Sequence, residues 1–223
     1  MKILKKCVLG SIAIGLSLSL VACNNGGSDN NNENTVSLSN VLNSKKMLPI
    51  VVTHDKQVSW AGYIGKGKIK AMYLDGTVYD YGYNDLKKLN NKKFNESIVY
   101  MGKDYKPKPR KYQSSKANIN ITTDTDTETK VSEISFDYLD DSKKLDVSSV
   151  KDIVSEPRFN EVLPKDKDEE WASMKYVEEE EDDPEGTGYV MHVKVGKQVN
   201  LKLDDVEKSE KQYDNVEVNP IEE

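Results

Sequence analysis

One stretch, "KIKAMYLDGTVYDYGY" at residues 68–83, constrains the fold of this chain more than any other. Its side chains alternate in character on both sides of Asp75-Gly76. Strand side chains point to opposite faces with a period of two, and Asp-Gly supplies the positive φ that a two-residue hairpin turn needs. The stretch predicts two antiparallel strands. Other runs read the same way: "MLPIVV", "SWAGYIG" and "SIVYMG" as strands, and "NINITTDTDTETKVSEISFDYL" as a hairpin. Three strands are expected within "FNEVLPKDKDEEWASMKYVEEEEDDPEGTGYVMHVKVGKQVNLKL", and an edge strand in "YDNVEVNPI", stopped by Pro220. Two segments read as helices. "YNDLKKLNNKKFNES" can be capped by Asn84 or Asp85, with Leu86, Leu89 and Phe94 roughly on one face; "DVSSVKDIV" starts at Asp146. The expected class is α+β, β-dominated, with two small antiparallel-sheet subdomains and one or two short helices.

The N-terminus gives an address. Lys2, Lys5 and Lys6 precede an uncharged run, "VLGSIAIGLSLSLVA", and Cys23 follows it. A basic start, about 15 apolar or small residues and a small-residue end mark an export signal, and the run is short for a membrane span of about 20 residues. "LVAC", Leu20 to Cys23, resembles the lipobox of bacterial lipoproteins. That resemblance implies cleavage before Cys23 and a diacylglycerol on its thiol. Two acyl chains hold a protein stably at a bilayer, where one does so only marginally. The residues that follow, "NNGGSDNNNENT", have almost nothing to bury and read as a flexible tether. The two cysteines are Cys7, in the leader, and Cys23, so the body has no thiol for a disulfide, a nucleophile or a Cys-based metal site. Removal of residues 1–22 from the 223 leaves 201, enough for one or two domains with their own cores.

The expected organisation is a leader (1–22), a lipidated Cys23 with its tether (23–35), a basic Tyr-rich β subdomain with one helix (36–105), a linker (106–118) and an acidic β-rich subdomain (119–223). The linker is placed by the Pro- and Lys-rich run "KDYKPKPRKYQSSKAN". Charge divides there. Residues 24–118 carry 16 Lys/Arg against 8 Asp/Glu, net +8, and residues 119–223 carry 13 against 30, net −17. A basic half held near a membrane is expected to feel anionic lipid or anionic wall polymer, at about 1 kcal/mol per residue close to the surface. Nucleic acid is not an expected partner of an acidic, exported chain.

"GYIGKGKI", residues 62–69, has the spacing that opens a phosphate-binding loop, but Ile69 stands where Ser or Thr should hold Mg²⁺, and an alternating run follows in place of a helix. It reads as a basic turn between strands. Tyr79, Tyr81 and Tyr83 share one side of a strand, with Trp60, Tyr63 and Tyr73 on neighbouring strands; the six are the candidate binding face, because tyrosine pairs an apolar body with a polar tip. Asp124, Asp126 and Glu128 begin like a calcium loop but lack its later glycine and glutamate, and Glu178 to Gly186 reads as an acidic hairpin loop. His54 and His192 are too few for a zinc site, and no serine sits in a nucleophile frame; His54 beside Asp55 is the one candidate acid or base. No metal, cofactor or catalytic residue is expected.

The expected function is that of a lipid-anchored, non-enzymatic interaction module on the outer face of a cell membrane, held there through Cys23 and contacting a surface protein or a wall or lipid component. In form it is similar to small lipoproteins of the immunity and exclusion type. The alternatives are a lipoprotein that binds a small ligand, glycan or metal ion, and an envelope hydrolase. The Asn- and Lys-rich composition and the form of the leader suggest a Gram-positive host.

Overall fold

The computed structural model describes residues 34–73, 83–88, 100–101, 107–108, 113–124, 126–139, 148–177 and 188–220. Strand β1 (Asn34–Ser37) leads into helix α1 (Leu38–Leu42). A meander of β2 (Leu48–His54), β3 (Gln57–Gly65) and β4 (Lys68–Tyr73) follows. Next come α2 (Tyr83–Leu86) and the short pair β5 (Tyr100–Met101) and β6 (Pro107–Lys108). Then come β7 (Gln113–Thr123), β8 (Val131–Leu139), α3 (Ser148–Ser155), β9 (Arg158–Phe159) and β10 (Glu161–Leu163). The chain continues through β11 (Trp171–Lys175), β12 (Tyr189–Lys194), β13 (Val199–Lys202), α4 (Val206–Gln212) and β14 (Val216–Pro220). Among the described residues no helix is long and apolar enough to cross a membrane.

Ten strands share one sheet in the order β10-β11-β12-β2-β3-β4-β7-β8-β9, with β14 added alongside β7. The two ends of that path are one piece of chain. Phe159 pairs with Ile134 of β8, and three residues later Val162 pairs with Met174 of β11. Between them the Asn160 N–H donates to the Lys175 carbonyl at 2.9 Å. The sheet therefore closes into a ring, which covers the edges that the two ends of the path would otherwise expose. The chain is α+β and β-dominated, as its alternating segments predict. Strands from both sides of residues 106–118 are neighbours in this ring: β4 pairs with β7, and β12 with β2. The expected division into two sheets is thus not followed by the pairing. Residues 113–118, expected as linker, form the first half of β7, where Ser115 and Ala117 turn small side chains inward. Two pairs, β14 with β7 and β1 with β13, are parallel.

Alternation decides what is inside. Ile50 and Val52, Trp60 and Ile64, Ile69 and Ala71, Ile119 and Ile121, Phe136 and Tyr138, and Met191 and Val193 form one buried cluster. Helix α3 adds Val150 and Val154, and α1 adds Leu38, Val41 and Leu42. Each such aliphatic side chain contributes about 1.5–3 kcal/mol by leaving water. A bulge breaks the period in β3. Val52 pairs with Trp60 but Thr53 pairs with Val58, so Ser59 is extra. Val58 and Trp60, two residues apart, therefore face opposite sides.

The two meander turns explain their sequences. Asp55 and Lys56 both have positive φ, 48° and 66°, the geometry of a tight hairpin turn whose twist matches its strands. "GYIGKGKI" is the β3–β4 hairpin and leads into a strand. A Cβ on Gly62 would overlap the Lys70 carbonyl oxygen of β4, and one on Gly65, at φ 148°, would overlap the Lys46 carbonyl. These glycines permit close backbone approach, not phosphate binding.

The start of the body is fastened by a buried carboxylate. Asp204, 5% exposed, accepts from the Leu38 N–H at 3.1 Å, the Ser39 N–H at 3.2 Å and the Ser209 hydroxyl at 3.0 Å. It satisfies the free N–H groups at the start of α1 from across the molecule. The Ser37 hydroxyl accepts the Asn40 N–H as the local cap.

Candidate functional site

The outer wall of the ring carries a second, smaller apolar cluster. Antiparallel register sets Ser173, His192, Val51, Ala61 and Met72 side by side across β11, β12, β2, β3 and β4. Val51, Ala61 and Met72 are buried together with Val58, Trp171 and Leu86, and Tyr63 and Tyr83 pack against them. Helix α2 lies over this row. The Tyr83 ring stacks on the His192 ring at 3.6 Å between centroids and 12° between planes, and meets Trp171 edge-on at 5.9 Å. The Trp171 indole N–H donates to the Lys87 carbonyl at 3.2 Å, and Lys87 Nζ lies 3.4 Å from Glu169.

His192 is at the centre. Its Nδ1 is 2.7 Å from the Ser173 hydroxyl and its Nε2 3.5 Å from the Thr53 hydroxyl. Burial under Tyr83, with Lys87 nearby, pushes its pKa down to about 3. The imidazole is therefore neutral at physiological pH. Burial, followed by the Glu169 charge, drives the Tyr83 phenol well above its ordinary range. A serine 2.7 Å from a histidine resembles half of a nucleophile–base pair. Here no carboxylate touches either ring nitrogen among the described residues, and an imidazole with a pKa near 3 is a weak base. The chemistry available is hydrogen bonding and stacking around a neutral ring, which holds α2 to the wall.

The six candidate aromatics do not form one face. Trp60 is fully buried inside the ring, because it lies three residues from Tyr63 on one strand and so has the opposite parity. Tyr63 is half-buried on the outer wall, where burial raises its pKa. Tyr83 joins it there from α2. Tyr73 ends β4, but its side chain lies outside the described residues, as do Tyr79, Tyr81, the Asp75-Gly76 turn, Cys23 and Glu178 to Gly186.

His54, the candidate acid or base, is not part of this cluster. It is exposed and stacks on Tyr189 at 4.4 Å, whose hydroxyl donates to Glu156 at 3.1 Å. Burial first, then Glu156, pushes the Tyr189 pKa up to about 12. Asp124 accepts the Asp126 N–H at 2.9 Å and lies 3.9 Å from Lys130, so the calcium-like run serves as a hairpin turn. Among the described residues no group of three or more His, Cys, Asp or Glu is placed to hold a metal ion.

Ser173, Thr53 and Trp171 were not legible as site residues. They reach His192 and Tyr83 only through strand register, which leaves no local signature. No protein-family model, no curated protein and no solved structure matches this chain.

Proposed function

We propose that this chain is a lipid-anchored lipoprotein on the extracytoplasmic face of a bacterial cell membrane, acting as a non-enzymatic interaction module. The observation that carries the proposal is the order of the first residues: three lysines, an uncharged run and "LVAC" ending at Cys23. The Asn- and Gly-rich stretch that follows supplies a tether to the body, which begins at β1. The outer-wall cluster supports binding over catalysis. It offers aromatic bodies with hydroxyl tips around a histidine too weakly basic to activate Ser173. Tyr83, the last tyrosine of the Tyr-rich run, is held to the body at this spot. The partner is a protein or envelope component met at the membrane surface.

Metabolic labelling with an alkyne fatty acid tests the anchor. The expected result is label on the wild-type chain, none on Cys23→Ala, and transfer of the unlabelled variant out of the membrane fraction. Unlabelled wild-type protein overturns the proposal. So does hydrolysis of a wall polymer by the purified chain that is lost in Ser173→Ala.

A further inference from the structure

The β3–β4 turn gathers lysines on one side of the ring. Lys68 and Lys70 face outward from β4, and Lys116 from β7; Lys66 is in the turn itself, and Lys45 and Lys46 follow α1 beside it. All six are exposed, and none forms an ion pair among the described residues. Lys68 and Lys116 are direct cross-strand partners. Like charges directly opposite on a sheet destabilise it, so this placement costs stability that an anionic partner would return. Asp137 and Glu217 border the patch beyond Lys116, and Tyr63 stands beside it as the partner of Lys70.

The acidic loop before β11 lies elsewhere. Asp166, Asp168, Glu169 and Glu170 precede β11, four places from β4 by way of β12, β2 and β3 and five by way of β7, β8, β9 and β10, on the far side of the ring. The described chain starts at Asn34, paired with Val199 beside that acidic loop, and runs through β1 and α1 to the lysine side. The Lys66 N–H donates to the Ser44 carbonyl at 2.9 Å and the Gly67 N–H to the Leu42 carbonyl at 2.8 Å, so the end of α1 touches the turn. One short strand and one short helix separate Asn34 from that contact, about 20 Å of chain. Ten residues join Asn34 to Cys23, a reach of at most about 40 Å.

We propose that this lysine wall is the surface that faces the membrane and rests on the phosphate groups of anionic lipids. The proposal builds on the lipid anchor proposed above. Charge selects the orientation and the tether is long enough to permit it: the wall of β4 and β7 turns down, the acidic loop turns outward, and Tyr83, stacked on His192 of β12, lies further round the same outer surface. Tyrosine beside lysine suits the headgroup region, where an amphipathic ring and a long cationic side chain both find partners.

The test uses the acylated full-length protein, its diacylglycerol confirmed by intact mass, in nanodiscs of phosphatidylcholine alone or with phosphatidylglycerol. A chain without that mass overturns the anchor and, with it, this orientation; for a chain that carries it, the reaction rates decide on the wall alone. Acylation rates of individual lysines are read by mass spectrometry. In anionic discs the six wall lysines are expected to react about fivefold more slowly than in neutral discs. Protection should vanish in roughly 1 M salt, where the screening length is about 3 Å. Lys56, at the opposite end of β3, and Lys151 on α3 should not change. The double variant Lys68→Glu/Lys116→Glu should lose protection at Lys66 and Lys70. Equal rates in the two discs overturn the proposal, as does protection that Lys56 and Lys151 share. Protection by soluble poly(glycerol phosphate) without protection by anionic discs overturns the lipid as occupant.

Discussion

His192 should make this protein sensitive to mild acid in a way one substitution can isolate. In the fold its pKa is depressed to about 3, while in the unfolded chain it returns to an ordinary value near 6.5. Between these values the unfolded state binds a proton that the native state does not. Stability from this group is therefore complete above the unfolded pKa and declines as pH falls towards the native one. At a pH two units below 6.5 the loss is about 2.7 kcal/mol, at 1.36 kcal/mol per unit, and no more than one proton can contribute. Carboxylates add their own pH dependence, so the informative quantity is a difference. His192→Phe keeps an aromatic ring beneath Tyr83 and removes the titration. Urea unfolding, followed by the fluorescence of Trp60 and Trp171, would be measured for both proteins from pH 7.5 to 4.5. The wild type should lose about 2–3 kcal/mol more than the variant across that range. A gap between the two that stays constant with pH would mean that His192 titrates as an exposed histidine, and would refute the buried stack as its environment.

Three further outcomes follow from the geometry. Asp204→Ala leaves the Leu38 and Ser39 N–H groups unpaired in a buried position; it should cost about 2–4 kcal/mol and open the β1–α1 segment to limited proteolysis. Gly62→Ala forces a Cβ onto the Lys70 carbonyl and should destabilise by more than about 1 kcal/mol, read as a lower melting temperature. Trp60→Ala empties a fully buried site inside the ring and should cost about 3–5 kcal/mol, whereas Tyr63→Ala on the outer wall should cost clearly less.

The strands were legible because their signals are local. "MLPIVV" is legible as a short apolar run, "SWAGYIG" and the "NINITT…" hairpin as strand-forming runs of β-branched and aromatic residues, and "DVSSVKDIV" from its leading Asp146. Helices α1 and α4 were missed because five and seven residues give too little periodicity, although Asp205 accepts the Lys208 N–H and marks the start of α4. The closure of the sheet was not legible. It depends on residues 158–163 serving β8 with one end and β11 with the other, a long-range pairing that composition does not encode. The change of charge near residue 118 drew attention to a division of the surface, and strand pairing runs straight across it. At the candidate site, Tyr83 was legible as an aromatic with a polar tip, but its partner was not: Ser173 and His192 meet because they are opposite each other in register. Trp60 was misplaced for a definite reason, since a separation of three on one strand puts it and Tyr63 on opposite faces.

The lipid-anchored module proposed above would work by contacting a partner at the membrane surface. The most direct test places a photo-crosslinking residue at Asn84, exposed and next to Tyr83, in the acylated protein in the membranes of the cells that make it. The expected result is one discrete adduct, to a protein or an envelope component, that survives high salt and disappears in the Cys23→Ala chain. Adducts to bulk lipid alone, or no adduct while the anchor remains intact, would contradict it.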